Sequence, residues 1–195
     1  MAAGLGELLI DRNATKSRIR TAINKAISLA DGPDDYLVIY FSGLSGEDYL
    51  SPSDDSGGDW SKVITDAELE GWVRDFPGSV TLIIDGAESS TMADGEIFRP
   101  YAFRQNEYTV ISAAGPGERV FYERELGSSV FTHFLVKGIT GWYPPADLDG
   151  NGDITAYELY QYIEIEMDDY LRGDPDRHLP AYYGQNYKDT VIFRY

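Results

Sequence analysis

The densest chemistry lies near the C-terminal end of the chain. Asp147, Asp149, Asn151, Asp153 and Glu158 fall at positions 1, 3, 5, 7 and 12 of one twelve-residue run, with Gly152 at the sixth. Oxygen donors at that spacing suit a divalent cation, and calcium above magnesium because the ligands are numerous and flexible. In such a loop Asp153 offers its backbone carbonyl, Glu158 supplies two oxygens from the first turn of the next helix, and the glycine permits the sharp turn. The metal-free alternative is an acidic Asn-Gly turn capped by Thr155. Trp142-Tyr-Pro-Pro145 breaks any entering helix, so a lone staple is expected rather than a paired sensor. Asp54, Asp55 and Asp59 around Gly57-Gly58 lack regular ligand spacing and read as a solvated loop.

Nucleophilic chemistry is constrained by what is missing. The chain has no cysteine, which excludes disulfides, thiolate metal sites and thiol catalysis as written. Its two histidines, His133 and His178, lie in an apolar helical stretch and near a Pro-containing tail. The remaining candidates are hydroxyls and two carboxylates in three small-residue loops, Phe41–Gly46, Asp85–Ser90 and Ser112–Gly117. No base stands beside Ser42, Ser45 or Ser89 in sequence, and a hydroxyl needs one to attack a carbonyl.

These loops must be held by the elements before them. Ile19, Ala22, Ile23, Ala26 and Ile27 recur at helical spacing after Asn13, a candidate N-cap, and Asp31-Gly-Pro ends that helix. Tyr36–Phe41 is an unbroken apolar run, expected as a strand covered on both faces. Thr65 and Glu68 form a capping box with Ile64 and Leu69 at staple positions, and Val80–Ile84 is a second buried strand. Tyr108–Ser112 is a third strand, 129–139 a helix, and Thr155 with Glu158 opens a helix to about Leu171. Thr190–Tyr195 reads as a closing strand. Alternating helices and strands predict an α/β fold with a mostly parallel central sheet and helices on both faces. In such a sheet ligands bind beyond the carboxyl ends of the strands, where the three loops fall.

The 195 residues fit one domain spanning 1–195, with the EF-hand-like loop at 147–158 as part of it. A net charge of −17 repels phosphate backbones and anionic lipid, so nucleic acid and membrane surfaces are poor partners and basic protein surfaces better ones. No run of about 18 apolar residues is present, and the start lacks the basic and apolar stretches of a secretion signal. A cytoplasmic protein is the expectation.

Taken together, the loops resemble those of the caspase-like cysteine peptidases (peptidase C14), closest to bacterial metacaspase-like members. In that family the first loop reads Tyr-Phe-Ser-Gly-His-Gly, with the histidine as base, and the second Asp-Ala-Cys-His-Ser-Gly, with the cysteine as nucleophile. Here they read Tyr40-Phe-Ser-Gly-Leu44-Ser45 and Asp85-Gly-Ala87-Glu-Ser-Ser90. Tyr49–Asp54, Thr65–Trp72, Ile111–Gly115, Ser129–Thr132 and Asp147–Leu159 match in the same order, so the likeness covers about residues 8 to 195. It implies a caspase-like three-layer sandwich, vestigial catalytic positions at Leu44 and Ala87, and Asp85, Ser42 and Ala113 as peptide-binding positions. Leu and Ala supply neither a nucleophile nor a base.

The family also opens with a further central strand and helix that this sequence lacks before Leu8-Leu-Ile10. The 36–41 strand is then expected to have an unpaired edge, filled by Leu8–Ile10 or by another chain. The resulting expectation is a non-catalytic caspase-like domain with a structural calcium ion, acting by binding a protein or basic peptide. The alternatives are a calcium-assisted cysteine endopeptidase cleaving after Arg or Lys in a doubly inactivated form, and a calcium-stabilised interaction module that never used the groove.

Overall fold

The computed structural model describes residues 6–93, 108–184 and 190–195. Helix α1 (Lys16–Leu29) is capped by Thr15, whose side chain accepts from the Arg18 amide; Asn13 instead lies in the 3-10 turn Asp11–Asn13. Thr15 has the extended backbone a cap needs, so the helix starts two residues later than the sequence suggested. Strand β1 (Tyr36–Ser42) follows, then a three-stranded ribbon of β2 (Ser45–Gly46), β3 (Tyr49–Leu50) and β4 (Ile64–Thr65). Helix α2 (Asp66–Val73) starts from the expected capping box, because Thr65 accepts from the Glu68 amide while Glu68 accepts from the Thr65 amide.

Strands β5 (Ser79–Asp85) and β6 (Tyr108–Ser112) are buried at every residue. The short pair β7 (Tyr122–Glu123) and β8 (Ser128–Ser129) precedes helix α3 (Val130–Ile139). Strand β9 (Asp153–Thr155), helix α4 (Ala156–Tyr170), and strands β10 (Ala181–Gly184) and β11 (Val191–Arg194) complete the described residues. The main sheet runs β1-β5-β6-β10, with β1, β5 and β6 parallel and β10 antiparallel. The expected fold class is therefore observed: a mostly parallel sheet between two helical layers.

The period-2 alternation of strands assigns the two cores. Val80, Leu82 and Ile84 of β5 join Ile23, Leu69 and Val73 from α1 and α2 on one face. Ile83 and Ile111 face Phe131, Leu135, Leu159 and Ile163 of α3 and α4 on the other. Among the described residues no helix is long and apolar enough to cross a membrane.

Two expectations change. β1 is the sheet's open edge, as expected, but it is not covered on both faces: Leu37, Ile39 and Phe41 pack toward α1, while Tyr36, Val38 and Tyr40 remain 55%, 37% and 45% exposed. A short apolar run reads alike for an edge and a central strand, because periodicity is silent on the number of neighbours. Leu8–Ile10 forms no strand, and Leu8 and Ile10 stay 83% and 56% exposed, so this segment does not complete the sheet. The closing strand expected at 190–195 forms as β11 and pairs antiparallel with β9 beside the acidic loop.

Candidate functional site

The carboxyl ends of β1 and β5 and the start of α3 enclose a cavity of ≈ 440 Å³. Ser42, Leu44, Ser45, Asp85 and Ala87 line it together with Ser129 and Thr132. The parallel register brings this about, since Ser42 is the partner of Asp85 at the last step of the ladder. Both small-residue loops therefore leave the sheet at one level.

Asp85 is the charged centre of this cavity, although it is only 4% exposed. Its Oδ2 accepts hydrogen bonds from Ser42 at 3.3 Å and Ser129 at 2.6 Å, and a third from Thr132. Tyr40 meets the same Thr132 oxygen at 2.6 Å, and because the Thr132 proton goes to Asp85, the Tyr40 phenol donates. Burial pushes that phenol above its ordinary pKa, which keeps it a donor. Ser129 is also the N-cap of α3, accepting from the Thr132 amide at 2.9 Å, so the positive end of a helix faces the carboxylate. Asp85 Oδ1 is buried and has no hydrogen-bond partner among the described residues. One oxygen carries all three bonds. The other is shut off from solvent and unbonded among the described residues, a costly state for a carboxylate oxygen.

Leu44 and Ala87 sit in the same cavity wall. Leu44 is 80% exposed, and the Ser45 hydroxyl donates to the Ala87 carbonyl at 2.7 Å. Glu88 follows in the left-handed region at φ +53°, its amide tied to the Glu118 carbonyl at 3.0 Å. A non-glycine residue held there marks a tight, strained turn at the end of β5. Ala113 lies outside the cavity, fully buried in the α3/α4 core with its amide on the Ile84 carbonyl. His133 packs edge-on against Phe134 with ring centres 5.0 Å apart, and His178 is buried at 3% exposure; neither lines the cavity.

The acidic loop is the second site. One ligand atom from each of Asp147, Asp149 and Glu158 lies within 4.8 Å of the others. Asp147 accepts from the amides of Gly150 (2.8 Å), Asn151 (3.2 Å) and Gly152 (3.1 Å), and from the Tyr195 hydroxyl at 2.7 Å. The Tyr195 bond and those amides hold its pKa below the usual carboxylate range. Asn151 donates its side-chain amide to Asp149 at 3.0 Å and accepts from the Asp153 amide at 2.7 Å. Gly150 and Gly152 take φ of +74° and +88°, which other residues adopt at a cost. Glu158 closes the capping box of α4 and also accepts from the Leu148 amide at 3.2 Å. All donors are hard oxygens, as calcium or magnesium requires. The Asp153 carboxylate is paired with Arg194, but the ligand expected of Asp153 is its carbonyl, so the pair takes no ligand atom. The donor set fits a divalent cation. The looser group behaves differently, since Asp54, Asp55 and Asp59 bring no three ligand atoms together among the described residues.

Sequence reading placed Ser129–Thr132 in a matching stretch without a role. Its contact with Asp85 needs α3 packed across the sheet, and no local pattern announces that. Tyr195 and Arg194 on the acidic loop were likewise illegible, because the strand carrying them pairs with β9, some 40 residues away.

No protein-family model matches the sequence, and no curated protein sequence matches it. Solved structures do match. A protein of Geobacter sulfurreducens superposes with a TM-score of 0.58 at 15% identity, over 95% of this chain and 82% of that one. Caspase-1 from Spodoptera frugiperda gives 0.55 at 10% identity, over 91% and 69%, and the structure of its pro form gives 0.50 at 12%, over 88% and 69%. At such identities the likeness concerns the fold, which is caspase-like.

Proposed function

We propose that this chain is a caspase-like domain that binds a basic segment of another protein at the strand-end groove without cutting it. The observation that carries this reading is the pairing, in one cavity, of Leu44 and Ala87 with a buried Asp85 whose Oδ1 has no partner. Acyl transfer by a thiol needs a nucleophile and a base that also protonates the leaving amine. Neither Leu44 nor Ala87 can serve, and Ser45 spends its proton on the Ala87 carbonyl. What the groove keeps is recognition. A guanidinium or ammonium group admitted by a small opening of the groove would satisfy the buried Oδ1, and a net charge of −17 draws cationic ligands toward it.

Asp147, Asp149, Asn151, Asp153 and Glu158 would hold calcium in this reading. The ion would supply positive charge that cross-links the loop to the first turn of α4. The loop's own residues already fix its shape, through the glycine turns and the Asp147 and Glu158 bonds. Magnesium is the lesser fit, because it demands a more rigid octahedral shell.

The test is calorimetric titration with acetyl-Val-Arg-Gly-Arg-amide and with the same peptide carrying Glu in place of Arg. The arginine peptide should bind and remain intact, the glutamate peptide should not bind, and Asp85→Asn should weaken binding at least tenfold. Equal binding of both peptides, or an Asp85→Asn variant that binds as wild type, would sink the reading.

A further inference from the structure

The open side of β1 was left without a role by the groove and the acidic loop. Its hydrogen-bonding direction can be read from the ends of the ladder: the Ser79 amide donates to Asp35 at 2.9 Å, and the Gly43 amide donates to Asp85 at 3.1 Å. In a parallel pair, alternate residues turn both backbone groups toward one neighbour. Odd-numbered residues from 35 to 43 therefore bond to β5. Tyr36, Val38, Tyr40 and Ser42 turn four N–H and four C=O groups outward, where no strand stands among the described residues.

The same four residues carry the exposed side chains of β1. They face the α3 side of the sheet, where Val136 lies one turn beyond the Thr132 that bonds Tyr40 and is itself 48% exposed. Tyr36, Val38, Tyr40 and Val136 thus make an uncharged margin beside an unsatisfied row of backbone donors and acceptors. Such an edge is an aggregation hazard unless it is charged, shortened or covered, and this one is seven residues long with no charge on it.

We infer that the β1 edge is a docking site for an extended segment of a different protein chain, which adds a strand to the sheet beside Tyr36, Val38, Tyr40 and Ser42. A helix could cover the apolar margin, but it cannot meet four outward amides and four carbonyls; only another strand does both. The charge pattern selects a different chain over a second copy. Two copies would bring −17 against −17, whereas the N-terminal end of β1 is flanked by Asp31, Asp34 and Asp35. Asp35 is engaged by the amides of residues 31 and 32, and Asp34 is exposed. The nearby cation Arg194 is already paired with Asp153. The fitting partner is a strand of about seven residues, β-branched or aromatic at alternate positions, with lysine or arginine at the end that meets this flank. The inference does not rest on the groove reading.

Amide hydrogen exchange followed residue by residue tests it. In the free chain, Tyr36, Val38, Tyr40 and Ser42 should exchange quickly and Leu37, Ile39 and Phe41 slowly. Acetylated seven-residue peptides alternating Val and Thr, flanked by two Lys or by two Glu, are the probes. The lysine peptide should slow the four even-numbered amides at least tenfold, the glutamate peptide much less, with the odd-numbered amides unchanged. Val38→Pro removes an outward N–H and no ladder bond, so it should abolish binding and leave the fold intact. Val38→Lys supplies a second block if the proline variant is unstable. Saturating acetyl-Val-Arg-Gly-Arg-amide should leave binding of the strand peptide unchanged, which separates this surface from the groove. The inference fails if neither peptide protects those amides at millimolar concentration, if they are already protected in the monomer, or if sedimentation finds a dimer that protects them.

Discussion

Replacing Glu158 by glutamine separates two jobs that one side chain holds. Its Oε2 accepts from the Thr155 amide at 2.9 Å and the Thr155 hydroxyl at 2.8 Å, and its Oε1 accepts from the Leu148 amide at 3.2 Å. Glutamine also serves at this position of a capping box, so Glu158→Gln keeps the Thr155 contacts and puts the Leu148 contact at risk. One lost hydrogen bond costs about 0.5–1.5 kcal/mol, and for a chain of this size each kcal/mol moves Tm by about 2–4 °C. In chelator the variant should therefore melt only a few degrees below wild type. Calcium changes the comparison. Binding the native state alone at a hundred times Kd adds about 2.7 kcal/mol, or roughly 5–11 °C in Tm. Wild type should gain that increment, and Glu158→Gln, which removes the residue expected to give two oxygens, should gain almost none. Scanning calorimetry of both proteins in chelator, calcium and equal magnesium reads this directly, because magnesium supplies the same general screening of a chain at −17. The reasoning is refuted if wild type gains nothing at about 10 mM calcium, roughly ten times the weakest loop constants. It is equally refuted if Glu158→Gln keeps the full increment.

Two further outcomes are expected. The double variant Leu44→His and Ala87→Cys should stay folded yet cleave arginine peptides no faster than either single variant, since position 44 is 80% exposed and no group among the described residues is placed to orient an imidazole there; efficient cleavage in a fluorogenic assay would contradict that account of position 44. Gly78→Ala would place a Cβ 2.0 Å from the Asp35 carbonyl oxygen, at the bond that opens the β1–β5 ladder, so a loss of about 1–3 kcal/mol or more is expected in urea unfolding, and an unchanged midpoint would contradict that close approach.

Much of the site was legible because the signals are local. The capping boxes at Thr65–Glu68 and Thr155–Glu158 form as read, since each needs only four residues and a helix start. The buried strand at 79–85 sits where an apolar run ends in small residues, and its end meets that of the 36–42 strand at the groove, while the strand at 108–112 forms as read but ends off the cavity. The acidic spacing of 147–158 does bring Asp147, Asp149 and Glu158 together, because a turn built on Gly150 and Gly152 is itself a local device. The cap of α1 was misplaced by two residues, as Asn13 and Thr15 are both good caps and backbone context chose between them.

Sequence alone thus determined the order of elements, the fold class and the two clusters of polar residues, all of which follow from periodicity and turn chemistry within a few residues. Tertiary structure decided three things that depend on which surfaces meet. Ser42, Ser129 and Thr132 converge on one oxygen of Asp85 and leave the other bare, because the start of α3 docks over the ends of β1 and β5. Arg194 and Tyr195 reach the acidic loop, because β11 pairs with β9. The Tyr36–Phe41 run, which reads as a strand covered on both faces, keeps Tyr36, Val38 and Tyr40 open on one, because what packs on a strand is a property of the assembled sheet and not of its residues.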